Sequence, residues 1–179
     1  MLEENYEIVL LTEFEIARTL QEMKRYEEAL VLFQKVSINL KSEGNTRTQF
    51  AKEGYALCLK EAGKFQESRQ MFEEVLNHRE KTLGEDHLLT LRVRRCLGDV
   101  CFDQKDWKGA IKWYRSVIEK SKHQLDYNTV IAKSDLASSL YNSGEISEAI
   151  KWFRITKENC LAVWGDDYPY KEQIDELMN

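Results

Sequence analysis

Four stretches of this chain repeat one pattern at a nearly fixed interval, and that repetition constrains the fold more than any other feature. They are Lys24-Arg25-Tyr26-Glu27-Glu28-Ala29-Leu30, Gly63-Lys64-Phe65-Gln66-Glu67-Ser68-Arg69, Lys105-Asp106-Trp107-Lys108-Gly109-Ala110-Ile111 and Gly144-Glu145-Ile146-Ser147-Glu148-Ala149-Ile150. Each sets a short polar turn before an aromatic or branched residue, with a small residue three positions later. A ring follows four residues on, at Phe33, Phe72, Tyr114 and Phe153. Between Ala29, Ser68, Ala110 and Ala149 the intervals are 39, 42 and 39 residues. Self-similarity at such a period marks stacked supersecondary units.

Upstream of each turn the register continues. Ile16-Ala17, Tyr55-Ala56, Leu97-Gly98 and Leu136-Ala137 each pair a large apolar residue with a small one, and Leu20, Leu59, Cys101 and Leu140 follow three positions later. Spacing by threes and fours is one face of an amphipathic helix. Small residues on two such faces allow antiparallel helices to approach to the short end of the usual ~8–10 Å separation. Each unit therefore reads as helix A, a tight turn and helix B. One Pro and 8 Gly are too few for an all-β fold rich in tight turns. With 42% hydrophobic and 11% aromatic residues the chain is too apolar for disorder.

These residues resemble the tetratricopeptide repeat from about Glu7 to Leu161. The third unit is close to the motif, with Leu97-Gly98, Ala110 and Tyr114, although Arg94 replaces the usual first aromatic. The period exceeds the ~34 residues of the ordinary repeat and is similar to the longer kinesin-light-chain type. Two loops carry that likeness, Leu83-Gly84-Glu85-Asp86-His87 and Trp164-Gly165-Asp166-Asp167-Tyr168-Pro169. Their glycines suit helix C-caps, Asp86 and Asp166 or Asp167 suit the next N-cap, and Pro169 suits a first helical turn. The resemblance implies an all-α, right-handed superhelical stack, one array over 1–179 with repeats at about 8–41, 47–83, 87–123 and 127–164. The helices expected are A1 ending near 23, then 26–40, 47–62, 65–83, 87–104, 107–122, 127–143 and 146–163. A stripe of Tyr170, Ile174 and Leu177/Met178 gives a terminal helix at about 168–178, either a cap or helix A of a fifth repeat.

No constellation for catalysis stands out. His78, His87 and His123 fall at helix ends or loops, outside any H-E-x-x-H pattern. Cys58, Cys96, Cys101 and Cys160 lack C-x-x-C spacing and sit in apolar helical patterns, as buried, reduced thiols of a cytoplasmic protein would. There is no Walker-type glycine loop and no G-x-S-x-G, so no enzyme, cofactor or metal is expected. Net charge is -5 with a pI near 5.4, which argues against nucleic acid. No apolar run approaches the ~20 residues of a membrane span, and Met1-Leu2-Glu3-Glu4-Asn5 lacks the basic flank of a signal peptide. Trp107 stands at the turn position of Tyr26, Phe65 and Ile146 and reads as core. Trp113 and Trp152 neighbour the seam rings, so one member of each pair should face outward or toward another repeat.

In the family the A helices line a concave face. Carried over by register, that face comprises Leu11, Phe14, Arg18, Gln21 and Glu22, then Phe50, Glu53, Leu57, Lys60 and Glu61. The third unit supplies Arg92, Arg95, Asp99, Phe102 and Asp103, and the fourth Ile131, Ser134, Ser138, Tyr141 and Asn142. Rings with both signs of charge suit an extended peptide or a helix of a protein partner. Arg92 and Arg95, one turn apart, either grip an acidic partner residue or pair with Asp99 inside the fold. Two activities of the family fit poorly. For a clamp on a chaperone carboxylate the first unit offers Phe14 and Arg18, no Asn stands at the second clamp site and the second unit offers Gly54, so only Arg92 fits. Kinesin light chains carry paired asparagines where this chain has Glu53-Gly54, Arg95-Cys96 and Ser134-Asp135. The expectation is a non-catalytic interaction module; the rivals are a structural or self-association segment and a regulatory array of a larger protein.

Overall fold

The computed structural model describes residues 2–39, 46–123, 125–165 and 171. Among them are eight helices and no strand: α1 Leu2–Glu22, α2 Tyr26–Asn39, α3 Thr46–Glu61, α4 Phe65–Leu83, α5 Leu88–Asp103, α6 Trp107–Lys120, α7 Tyr127–Ser143 and α8 Ile146–Trp164. These match the expected helices within two residues at every end compared. The expected helix at 168–178, its caps at Asp166 or Asp167 with Pro169, and the end of the first repeat at 41 lie outside the described residues.

The four A-to-B turns share one construction. Lys24, Gly63, Lys105 and Gly144 all take positive φ, at 59°, 74°, 60° and 90°. The residue after each donates its backbone N–H back to helix A: Arg25 to Leu20, Lys64 to Leu59, Asp106 to Cys101 and Glu145 to Leu140, each at 2.9 Å. Such a left-handed closure satisfies carbonyls that a helix end otherwise leaves open. Glycine takes it without strain at Gly63 and Gly144, whereas Lys24 and Lys105 hold it against their Cβ.

The chain divides into two compact units, Met1–His78 and Arg79–Asn179, the division falling inside α4. In the first, α1 packs on α2 and α2 on α3. Its core joins Leu10, Phe14, Ala17, Ala29, Phe33, Val36, Ala51 and Cys58. Gly54 on α3 lies directly beneath the Phe33 ring, and a Cβ there would come within 2.5 Å of Phe33 Cζ. Ser68, the serine among the four small seam residues, is fully buried and its hydroxyl donates to the Ala56 carbonyl at 2.7 Å. That bond removes the penalty of burying a polar group.

In the second unit α5 packs on α6, α6 on α7 and α7 on α8, and α5 also touches α7. Its core gathers Cys101, Ala110, Tyr114, Leu136, Ala137, Leu140, Ala149, Phe153 and Cys160, with Trp113 and Trp152 partly buried against it. Both tryptophans pack against the core that joins the two repeats, the second of the two placements, outward or toward another repeat, that the sequence allows. Gly98 supports the Tyr114 ring as a Cβ there would meet Tyr114 Cε1 at 2.5 Å. Asp106 and Asp126 cap α6 and α7 by accepting from Gly109 N and Thr129 N. At α5 the cap is His87, whose ring accepts from Leu89 N, and not Asp86, whose carboxylate instead pairs with Lys122. The lysine across the loop offers that carboxylate a full opposite charge.

Candidate functional site

On the A helices of the first unit, the residues expected to line a groove differ in exposure, and two of them are buried. Phe14 is 7% exposed and packs edge-on against Phe33, with ring centroids 6.0 Å apart. Its ring belongs to the α1–α2 core and is a correction to the expected groove set. Glu53 on α3 is likewise buried, at 3% exposure. Phe50, Leu57, Lys60, Leu11 and Gln21 are half-buried, while Arg18, Glu22 and Glu61 are exposed. Arg18 pairs with Glu15 at 3.2 Å, and Lys60 with Glu61 at 2.9 Å.

In the second unit Arg92, Arg95, Asp99 and Phe102 lie on α5, and Ser134, Ser138, Tyr141 and Asn142 on α7, two helices that touch. Tyr141 is exposed at 45%. Phe102 is half-buried, edge-on to Trp107 with centroids 5.1 Å apart. Ser138 donates to the Ser134 carbonyl, and Asn142 donates to that of Ser138. Ile131 is buried and Asp103 exposed.

Arg95 is paired within the fold. Its Nε donates to Asn128 Oδ1 at 2.9 Å, and its Nη1 donates to Asp99 Oδ2 at 3.2 Å. The same Nη1 stands 3.7 Å from Asp135 Oδ2, and Tyr114 donates its phenol to Asp99 Oδ1 at 2.8 Å. The guanidinium is therefore spent on carboxylates of its own fold, the second of the two readings the sequence left open. Arg94, the third arginine of the run, is buried and joins Ser116 at 2.9 Å and the Glu80 carboxylate. Sequence reasoning missed Asp135, Asn128 and the Tyr114 hydroxyl as members of this cluster. The signal was present: Asp135 holds the register position of Gly54 and Cys96, where a preceding B-helix ring must fit.

Among the described residues no group of three or more His, Cys, Asp or Glu side chains could hold a metal ion. All four cysteines are free and buried, and burial pushes the Cys58 thiol up to about 12, far from a reactive thiolate. Among the described residues, no helix is long and apolar enough to cross a membrane.

Comparison with known proteins agrees with this architecture. Tetratricopeptide repeat models match residues 48–122 and 16–43. A crystal structure of nearly identical TPR-like repeats from a candidate kinesin light chain of Podosopora anserina is 17% identical, with a TM-score of 0.76, over 94% of this chain and 83% of that one. BtubC (BKLC) of P. vanneervenii is 16% identical, with a TM-score of 0.78, over 91% of this chain and 67% of that one. MamA of MSR-1 is 16% identical, with a TM-score of 0.64, over 96% of this chain and 83% of that one. No curated protein matches the chain significantly. At these identities the structural likenesses speak for fold alone, and together with the two matched segments, the 39/42/39 register and the hairpin seams they lead to one assignment. The chain belongs to the tetratricopeptide repeat family, with repeats similar to those of kinesin light chain.

Proposed function

We propose that this chain is a non-catalytic interaction module, and that a peptide or helix of a protein partner lies along the faces of its A helices. The observation that carries the reading is the α5–α7 face, where exposed Tyr141 and half-buried Phe102 and Ser138 lie on two touching helices. Rings held on rigid helices give a partner contact area at little ordering cost. Phe50, Leu57, Lys60 and Arg18 supply the corresponding surface in the first unit. The same reading has both units belonging to one array in a reducing cytoplasm, using neither cofactor nor metal and binding neither nucleic acid nor membrane.

Self-association, or service as a regulatory array within a larger protein, is the second reading. It draws on Ile8 of α1, Met23 of the turn that follows and Val31 and Ile38 of α2, exposed at 60%, 59%, 61% and 71%, since apolar side chains left in water invite an apolar partner. A photo-crosslinking residue placed at Tyr141, and separately at Ile38, tests the two readings in cell extract. Capture of a partner segment at Tyr141 supports the groove. Failure at Tyr141 together with capture of a second copy at Ile38 refutes it in favour of self-association.

A further inference from the structure

In the seam between α5 and α7 two carboxylates, Asp99 and Asp135, share the guanidinium of Arg95. In the first unit the B-helix ring Phe33 meets Gly54 of the next A helix. In the second unit the corresponding ring is Tyr114, and the residue at the register position of Gly54 is Asp135. Asp99 is fully committed: its Oδ1 accepts from the Tyr114 phenol and its Oδ2 from Arg95. Both bonds favour the ionised form. Asp135 is served differently. Its Oδ2 is buried and sits 3.7 Å from Arg95 Nη1, an ion pair too long for a hydrogen bond, while the side chain as a whole is 32% exposed. Arg95 gives its Nε to Asn128, and the Nδ2 of that buried asparagine finds no acceptor.

The groups facing Asp135 among the described residues come from two elements: Arg95 and Asp99 from α5, and Tyr114 from α6. The Cys96 thiol adjoins Arg95 on the same side. Two carboxylates against one guanidinium leave the cluster with one negative charge when both ionise, and a partly buried site resists that charge.

We propose that the Asp99–Arg95–Asp135 cluster is a proton switch built into the α5–α7 seam, with Asp135 as the group that takes up and releases the proton. Burial, then the Asp99 carboxylate, pushes the Asp135 carboxyl up to about 7, and Arg95 pulls it only part of the way back. Burial works against the Arg95 charge, but Asp99 and Asp135 more than offset it, so the guanidinium is held above its ordinary value and stays charged. Burial and then Asp99 raise the Tyr114 phenol, which remains a donor. The sign follows. A carboxyl raised from 3.8 to about 7 leaves the folded chain holding the extra proton between those values. This contribution is complete below about pH 4 and is lost as pH rises through about 7, up to a tenfold fall in the folding constant per pH unit. The charge left on Asp135 appears on α7, the helix that also carries Ser138 and Tyr141. Any effect on a ligand rests on the function proposed above; the switch itself needs no partner.

Carbon-detected NMR of the aspartate carboxyls in the full chain, from pH 4 to pH 9, tests this directly. The expected result is an Asp135 midpoint near 7 in the unmodified protein; a midpoint below 5 overturns the switch. Asp99→Asn should lower the Asp135 midpoint by removing the neighbouring charge, and an unchanged midpoint denies that the two carboxylates are linked. Asp135→Asn should flatten the pH dependence of unfolding between pH 5 and pH 8, and a curve parallel to that of the parent protein counts against the proposal. The NMR titration needs no variant, so a misfolded substitution cannot shelter the idea. Photo-crosslinking at Tyr141 remains a separate measurement, so loss of the functional reading and loss of the switch are distinguishable.

Discussion

Replacing Gly54 with alanine is a direct test of the seam register, because the register reverses the sign that helix propensity alone would give. Gly54 lies inside α3, and a Cβ built there stands 2.5 Å from Phe33 Cζ, 2.7 Å from Cε1 and 2.8 Å from Cε2. Carbon pairs settle at about 3.5–4.0 Å, so the ring or α2 itself must retreat by about 1 Å. The ring has little room to do so, being 1% exposed and edge-on to Phe14 within the α1–α2 core. Overpacking of this kind costs about 1–3 kcal/mol. Alanine also relieves the glycine of its helix penalty, about 0.8–1.0 kcal/mol in the opposite direction. The expected net is a loss of about 1–2 kcal/mol, read as a lower urea midpoint at unchanged slope. Combining Gly54→Ala with Phe33→Leu should recover part of that loss as a coupling energy of about 1 kcal/mol, since the new methyl then enters vacated space. A Gly54→Ala protein more stable than its parent, or an additive double substitution, would refute the contact and with it the register that places Phe33 over α3.

Three further substitutions have definite expectations. Ala110→Leu forces three carbons into the fully buried α5–α6 seam and should cost about 1–3 kcal/mol; unchanged thermal unfolding would contradict that packing. Lys105→Gly relieves a left-handed backbone at φ 60° and should stabilise by about 0.5–1 kcal/mol, after allowing for the freer unfolded chain; a lower melting temperature would show that the lysine side chain contributes more than its strain. Asp126→Ala removes the cap on Thr129 N and leaves Ser121 and the buried Thr129 hydroxyl without that carboxylate, an expected loss of about 1–2 kcal/mol in denaturant titration.

The fold was legible because each repeat states its hairpin twice, once in local chemistry and once in the spacing of small residues and rings. Gly63 and Gly144 mark turns that Lys24 and Lys105 also make, so the turns followed from the period even where the residue type did not favour them. Small residues at Ala29, Ser68, Ala110 and Ala149, all fully buried, fixed which faces meet. The candidate surface was legible only in part. A position on helix A has a defined azimuth, but the period does not say how deep a side chain at that azimuth will lie. Phe14 took the core because Phe33 offered it an edge, and Arg95 took Asp99 because Tyr114 and Asn128 completed the set from other helices. Those pairings join residues 15 and 33 positions apart, beyond the reach of a pattern read along one helix.

The same register explains why surface and seam differ among the A helices. Three positions per helix, at Ala51, Gly54 and Cys58 in α3, at Val93, Cys96 and Val100 in α5, carry small or apolar residues and are buried. In α1 they are Thr12, Glu15 and Thr19, all exposed, and both threonine hydroxyls bond carbonyls one turn back on their own helix. In α7 they are Ala132, Asp135 and Ser139, and the serine also bonds its own helix, to the Asp135 carbonyl. A solvated face explains the polar set in α1, as it does for a capping element. In α7 Ala132 and Ser139 are buried and the Asp135 side chain is 32% exposed, with its Oδ2 turned inward, so a solvated face accounts for only part of that set. The Ser139 hydroxyl is satisfied where it stands, so what remains in excess is the Asp135 carboxylate, set where the other seams hold a glycine and a thiol. Packing alone gives no reason for a carboxylate at that position, and a proton is the smallest species that can settle its charge.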